Sequence, residues 1–585
     1  MKQRSTFDFA LLLLVAVAPA LVAAAGATTV PDAAHDAGVL RTVGAGFTGL
    51  FRALDLLIAA PFLVLPFGTR ALRAGLASAT VTGVCGALAF ETARSLMHEL
   101  LPLVLRRIGF SRGMDRPALR LASAVAAASV LAALLGPAWQ AEASAPGGAV
   151  VGACLVLAAL HLALAEQEVA VALVLGLALS EGPWVFLAAL VAAVPAYPVA
   201  RREPVRAVVA FTLGILPIAI GALVVHRAPE LADPGATLLG AAARPVGMTA
   251  FVLGTFGRPV LLVAVAGVGL ALLSGRRLLV GTLLGIAAVG VVAVRFRQPA
   301  GPDAFAAPVL VAVLAAHVFA GVALGILVLA IARARVPFAE WSAALVVVLE
   351  LVLPIGALDQ TTTERTARTP TASAIWNDVA WGAAPPASVV LVSDRSTMRR
   401  IATTRALGAL RADLVFVPQY DVQGRAGEHA LLAEPKLAAL YRDIALGLPP
   451  EELSLAQLGA QRAVLATYDP RWERALSRHL VPIGLTNRFE AEPRGASDRK
   501  KALEAFNAGK SRLVASKDPA LAAATSVLLR ARAVGMAATG EREMLSQSLD
   551  DLRAFAPDDP TGALLVRRQV TSKGTIDVHD LGGSS

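Results

Sequence analysis

FTGLFRALDLLIAAPFLVLPF, residues 47–67, is apolar enough to cross a bilayer, and whether it does so sets the orientation of everything that follows. Around it, from residue 9 to about 356, the chain is a series of apolar runs rich in Ala, Leu and Val. The short charged gaps between these runs alternate between Arg-rich and Arg-poor. Cytoplasmic loops of membrane proteins carry the excess of Lys and Arg. Counted as a span, 47–67 places Arg94, Arg106, Arg107, Arg112 and Arg116 outside. Counted as a helix lying along the outer membrane face, with Arg52 and Asp55 toward water, it leaves those arginines in the cytoplasm. The arginine distribution favours the second reading.

Working outward, Lys2 and Arg4 hold the amino terminus in the cytoplasm. The opening MKQRSTFDFALLLLVAVAPALVAAAGA has the basic start and small-residue end of a signal peptide, but its apolar run continues for about 18 residues, so it reads as an uncleaved first helix. Further spans follow over 71–93, 118–136, 148–166, 168–180, 183–197, 205–226, 258–274, 277–294, 305–332 and 336–356. The result is about eleven spans, with the carboxyl-terminal part outside the cytoplasm.

Composition separates two regions. Hydrophobic residues make up 56% of the chain and charged residues only 16%, and the apolar excess belongs to residues 1–356. The remainder has ordinary soluble composition, which predicts a membrane domain and a separate soluble domain. The net charge of +10 sits at the ends of apolar runs and forms no aromatic-interleaved basic patch, which argues against nucleic acid as a partner. Both cysteines, Cys85 and Cys154, fall in apolar runs, so neither a disulfide framework nor a cysteine metal site is expected. His161 and His317 lie inside apolar segments without partners at metal spacing, and read as helix-contact residues.

With this orientation the outer loops expose Asp32, His35, Asp36, Arg41, Arg52, Asp55, Glu142 and Glu181, followed by Arg227, Glu230, Asp233, Arg244, Arg258, Arg295 and Arg297. Carboxylates beside arginines at a membrane surface suit one chemistry well: a carboxylate acts as general base on a hydroxyl while arginines hold the phosphate of a lipid-linked donor. Solvated loop charge is the plain alternative for any one of them. Glu181 is harder to explain that way, because it lies between two short apolar runs where an ionisable group is costly.

Beyond the membrane part, 357–375 reads as a polar, Thr-rich linker. Residues 376–495 alternate strand and helix patterns: SVVLVS (388–393), then a helical DRSTMRRIATTRALGALR, then DLVFVP (413–418). RAVLATYDPRWERALSRHLVPIGL (462–485) repeats the order, which predicts an α/β domain with a largely parallel sheet. Ser393-Asp394 falls where such sheets often bind ligands, but without a glycine-rich phosphate loop it reads as a helix cap. Asp469-Pro470 reads as turn chemistry. Residues 496–570 turn helical and resemble a tetratricopeptide-like hairpin, and 571–585 read as a disordered tail.

Four stretches carry a family resemblance: HDAGVLRTVGAGFTGLFRALDLLIAAPFLVLPFGTRALRAGLASA (35–79), GPAWQAEASA (136–145), LGLALSEGPWVFL (175–187), and the soluble run IWNDVAWGAAPPASVVLVSDRSTMRRI, LRADLVFVPQ and HLVPIGLTNRF. Together they resemble the GT-C class of membrane glycosyltransferases, and more narrowly the bacterial protein O-mannosyltransferase-like family numbered glycosyltransferase family 117. That family has an acidic outer loop, a surface helix ending in Leu-Pro-Phe-Gly, and an Arg-x-x-Leu-x-Ser-Ala start to the next span. Asp36 falls on the acidic loop residue, the next acidic position falls on Val39, and the family's Asn-His pair becomes Glu181-Gly182.

The resemblance implies an enzyme of a bacterial cytoplasmic membrane that moves a sugar, mannose or another hexose, from a polyprenyl-phosphate carrier to a hydroxyl on protein or glycan. It implies membrane lipid as a further partner and no separate cofactor; no metal-ligand set stands out in the sequence. Asp36 is then the expected general base and Asp32 its nearest rival; Glu142 and Glu181 orient the acceptor or tune the base; Arg41, Arg52 and Arg244 are candidates for the donor phosphate. The departures at Val39 and Glu181-Gly182 keep a second reading open, an inactive relative that serves as an envelope scaffold. A transporter fits less well, because the ionisable groups cluster at segment ends and no inverted repeat stands out. The orientation is testable on its own: alkaline phosphatase fused after residue 585 is expected to be active and green fluorescent protein at the same place dark, and the opposite pattern would invert the topology.

Overall fold

The protein's structure, a computed structural model, describes residues 5–27, 36–47, 49–107, 116–196, 203–227, 231, 258–273, 277–293, 303–333, 352–363, 372–420, 425–446, 452–470, 472, 474–516, 518–571, 576–578 and 581. The membrane part runs through α1 (Thr6–Gly26), α2 (Asp36–Thr42), α3 (Leu54–Leu63), α4 (Arg70–Arg107), α5 (Arg116–Leu135), α6 (Pro137–Ser144), α7 (Val150–Leu164), α8 (Glu168–Glu181) and α9 (Pro183–Ala192). It continues through α10 (Pro204–Ile215), α11 (Pro217–Arg227), α12 (Arg258–Leu273), α13 (Arg277–Ala293), α14 (Asp303–Arg333) and α15 (352–363).

Among the described residues six stretches are long and apolar enough to cross a membrane: Thr6–Gly26, Arg70–Arg106, Ala118–Leu135, Pro204–His226, Ala307–Ile331 and Leu521–Thr539. Five of them lie in the membrane part, joined by the shorter apolar helices α7, α9, α12 and α13. Such a set describes a multi-pass membrane domain. Of the expected last span, 336–356, residues 336–351 lie outside the described residues, and α15 begins at 352.

Two contacts define the faces of the helical bundle. The Arg94 guanidinium lies 3.9 Å from the Asp8 carboxylate, so the start of α1 sits beside the far half of α4. At the other end of α1, the Gln140 side-chain amide donates to the Pro19 carbonyl at 3.2 Å. On this second face Thr361 of α15 donates to the carbonyl of Leu135 at 2.6 Å, bringing the approach to the soluble domain alongside the end of α5. Pairing within the bundle relies on small residues, since lipid offers no hydrophobic drive for helices to associate. Gly176 of α8 and Gly214 of α10 lie backbone against backbone, and a Cβ on either would strike the other helix's main chain.

Several expectations change here. The 47–67 stretch forms only the ten-residue α3, about 15 Å long and too short to cross. Its Arg52 and Asp55 are buried and do not face water, because each finds an opposite charge within the protein. The span expected to end at residue 93 continues as one helix to Arg107, because Leu96, Met97, Leu100, Leu101, Val104 and Leu105 supply a buried apolar stripe beyond Arg94. Residues 357–363 of the expected linker are helical, held by the Thr361 bond to α5.

The soluble part opens with α16 (Ala372–Trp381) and then β1 (Val389–Val392), α17 (Arg395–Ala406) and β2 (Val415–Pro418). After further helices come β3 (Val464–Ala466), β4 (Leu480–Ile483) and β5 (Thr486–Phe489), in sheet order β2-β1-β3-β5-β4. β1 pairs in parallel with β2 and β3, as the strand–helix alternation predicts. β5 runs antiparallel to both β3 and β4, so the sheet is mixed. The reason is the two-residue turn Gly484-Leu485, which leaves no room for a crossover and folds β4 and β5 into a hairpin.

Four helices complete the domain: α18 (Ala496–Ala515), α19 (Pro519–Thr539), α20 (Arg542–Phe555) and α21 (Pro560–Thr571). The apolar α19 is packed inside this domain, and its two arginines are held there. Arg530 pairs with Asp559, while Arg532 donates to the Gly484 carbonyl and lies over the Phe506 ring. The expected disordered tail after 571 is corrected in part, because Ile576 and Val578 are buried in the same core, where two apolar residues flanking an outward Asp577 insert as a pair.

Gly214→Val is expected to force α8 and α10 apart and cost about 1–3 kcal/mol. The check is thermal unfolding of the full chain in detergent; an unchanged midpoint would mean the two helices do not depend on this close contact.

Candidate active site

The buried charges gather on the face that carries α2, α3, α6 and the soluble domain. Asp55, in the first turn of α3, has a fully buried carboxylate. Its Oδ2 accepts from the Arg41 Nε at 3.2 Å and lies 3.2 Å from the Arg52 Nη2. The Arg52 Nε lies 3.6 Å from Glu181 Oε2, at the end of α8, so one chain of charges links α2, α3 and α8.

Arg52 is held from every side. Its Nη2 donates to the carbonyls of Gly147 at 2.7 Å and Gly148 at 3.0 Å. Its backbone N–H donates to the Ser180 carbonyl at 2.8 Å. Its φ of 72° lies in the left-handed region, which costs a residue with a Cβ about 1–3 kcal/mol unless its surroundings fix it. Those three bonds supply the fixing. The 145–149 loop itself closes on α2 through glycine: Gly38 touches the Pro146 and Gly147 backbone so closely that a side chain there has no room.

Glu142 Oε2 accepts from the backbone N–H of Ala149 at 2.8 Å, fastening the loop that Arg52 grips. Trp139 and Gln140 are fully buried behind it. Glu181 is 2% exposed, and its second oxygen, Oε1, has no hydrogen-bond partner among the described residues. A buried carboxylate oxygen in that condition is costly to maintain and marks a group kept for something other than stability.

Asp36 opens α2, the helix that also carries Arg41. Its Oδ1 receives a bond from the Arg400 Nη1 at 2.8 Å, and its backbone carbonyl accepts from the Thr403 hydroxyl at 3.3 Å. Both partners belong to α17 of the soluble domain, and the neighbouring Arg399 donates its Nε to the carbonyl of Leu231 at 3.1 Å. Asp394 caps α17 by accepting from the Thr397 N–H at 2.7 Å, so its capping role holds. The soluble domain is thus fastened to α2, the helix that bears the expected base.

Of the residues expected at a site, Arg41, Arg52 and Glu181 meet in one network, Asp36 sits on the same short helix as Arg41, and Glu142 holds the adjoining loop. Asp32 and Arg244 lie outside the described residues. Asp55, Arg400 and Thr403 were not expected to take part. Asp55 reads in sequence as a surface charge. For Arg400 the signal available is an arginine pair, Arg399-Arg400, between the apolar Met398 and Ile401 of an otherwise amphipathic helix. Among the described residues no three His, Cys, Asp or Glu side chains are arranged to hold a metal ion.

Asp55→Ala strands two buried guanidiniums and is expected to cost about 3–5 kcal/mol, more than either arginine change alone. Thermal unfolding of the three variants in detergent checks the ranking; equal, small losses would mean that the ion pairs are dispensable.

No family profile and no curated protein matches this chain. Among solved structures it is similar to ArnT from Cupriavidus metallidurans bound to undecaprenyl phosphate, with a TM-score of 0.46 and 16% identity over 83% of this chain and 98% of that one. ArnT from the same organism in the apo state gives a TM-score of 0.44 and 15% identity over 82% and 97% of the two chains.

Proposed function

We propose that this chain is an inverting membrane glycosyltransferase of the GT-C kind. It moves a sugar, a hexose with mannose as the first to test, from a polyprenyl-phosphate carrier to a hydroxyl of protein or glycan outside the bacterial cytoplasmic membrane. The observation that carries the reading is the convergence of Asp36, Glu181 and four buried arginines on one end of an apolar helical bundle. Ionisable groups held out of water at such a place are expensive and point to function. The stretches 35–79 and 175–187, on which the family resemblance rests, are the ones that supply Asp36, Arg41, Arg52, Asp55 and Glu181.

In this reading Asp36, ionised, takes the proton of the acceptor hydroxyl. The oxygen forms a new bond to the anomeric carbon as the bond from that carbon to the carrier phosphate breaks, and the electron pair leaves with polyprenyl phosphate. Attack opposite the leaving group inverts the anomeric centre. Arg41 and Arg52, whose guanidiniums already bind Asp55, Glu181 and loop carbonyls, are positioning residues that hold α2 and the 145–149 loop in register. Glu181, with one oxygen uncommitted, is suited to orient the acceptor. Asp32 is kept as the rival base and Arg244 as a donor-phosphate candidate.

A scaffold reading has one observation in its favour. The Asp36 carboxylate is engaged by Arg400 and the Glu142 carboxylate by Ala149, as expected of contacts that only fasten one domain to another. Asp36→Asn separates the two. If Asp36 is the base, the variant loses roughly 10²–10⁴-fold in rate. Mass spectrometry of envelope and secreted glycoproteins from wild-type, deletion and Asp36→Asn strains is expected to show a hexose modification lost in both altered strains. Loss in the deletion alone moves the base elsewhere. No difference between the three favours the scaffold.

A further inference from the structure

Arg400 lies at the centre of the contact between the soluble domain and the outer loop, and its hydrogen bonding is incomplete. The side chain is 2% exposed, with its Cζ 6.0 Å from the centre of the Trp376 ring. Only Nη1 is engaged, by Asp36 Oδ1; Nε and Nη2 are buried with no hydrogen-bond partner among the described residues. A guanidinium normally takes a carboxylate with two parallel bonds, and leaving buried N–H groups unmet costs more than the single bond returns. An Arg placed only to fasten α17 to α2 has no need of that arrangement, since Thr403 already bonds across the same junction and Arg399 holds α17 to Leu231. A tetrahedral phosphate, by contrast, has enough oxygens to meet both edges of the fork.

We propose that Arg400 belongs to a phosphate-binding site completed by the soluble domain, and that the Asp36 carboxylate occupies it as an internal anion while the site is empty. The inference rests on the glycosyltransferase reading for its occupant, the phosphate of the lipid-linked donor; the anion site itself rests on the geometry of Arg400. When the phosphate takes the guanidinium, the Asp36–Arg400 bond is given up and the carboxylate accepts the proton of the acceptor hydroxyl. Arrival of the donor and availability of the base are thereby one event. An empty enzyme keeps its base tied down.

The test uses the full chain in lipid nanodiscs and measures equilibrium binding of undecaprenyl phosphate and, separately, of inorganic phosphate. R400Q is expected to weaken binding roughly ten- to a hundredfold, the range for hydrogen bonds to a charged group. R400K, which keeps the charge and loses the fork, falls between R400Q and wild type and guards against a misfolded R400Q. D36N is expected to tighten binding, because it removes the competing anion. That opposite sign is the discriminating result: a plain domain fastener predicts that R400Q and D36N break the same contact and shift binding alike. Equal shifts, or lipid binding indifferent to residue 400, overturn the inference and leave the donor reading standing. Inorganic phosphate binding that depends on Arg400, without any binding of the lipid, keeps the anion site and removes the lipid donor. Binding of neither probe removes both.

Discussion

Asp55 is the residue on which the loop-bearing end of the membrane domain depends. One carboxylate oxygen, taken fully out of water, stands between Arg41 of α2 and Arg52 just before α3. An isolated charge in that position would be untenable, and each arginine alone would be equally so. Through Arg52 the chain of charges reaches Glu181 at the end of α8 and the carbonyls of the 145–149 loop. Four segments far apart in sequence are therefore placed by mutual need. The apolar helices set the scaffold, but this network decides which loop ends meet. It also explains why Arg52 tolerates a left-handed backbone: its side chain and its N–H are both committed elsewhere.

The soluble domain is tied to the same place. α17 begins directly after the central parallel strand β1 and is capped by Asp394, so its direction is set by the sheet. Seen from the sheet, the helix carries Arg399, Arg400 and Thr403 to the membrane domain, where they contact Leu231 and Asp36. The position of the expected base is thus specified by two domains together. Substitutions in α17, more than 350 residues away in sequence, bear on it as directly as changes in α2.

Much of this was legible in the sequence, for identifiable reasons. The division into membrane and soluble parts follows from composition, and β1, β2 and β3 follow from short β-branched runs bounded by polar residues. Arginines elsewhere weigh against 47–67 as a span, and the helix formed there is only the ten-residue α3. What could not be read was the fate of its charges. An Arg and an Asp three residues apart in an apolar stretch look solvent-facing, and only the arrival of Arg41 and Glu181 from other helices makes burial tolerable. β5, with the polar sequence TNRF, carries no strand signal of its own and exists because the preceding turn returns it to β4. The arrest of α4 was misplaced because Arg94 reads as a boundary, whereas its pairing with Glu91 and Asp8 lets the helix pass through it.

The apolar helix α19 has a consequence for how the chain is made. Leu521–Thr539 is long and apolar enough to cross a membrane, yet it ends up packed against a sheet. Until its neighbours after residue 540 are in place, the membrane is a competing destination for such a segment. Arg530 and Arg532 sit near its middle, where each costs about 2.5–3.5 kcal/mol on the insertion scale. The two charges therefore weigh against insertion in the bilayer as well as partnering Asp559 and Gly484. One pair of arginines both disfavours the bilayer for this segment and fastens it against the sheet.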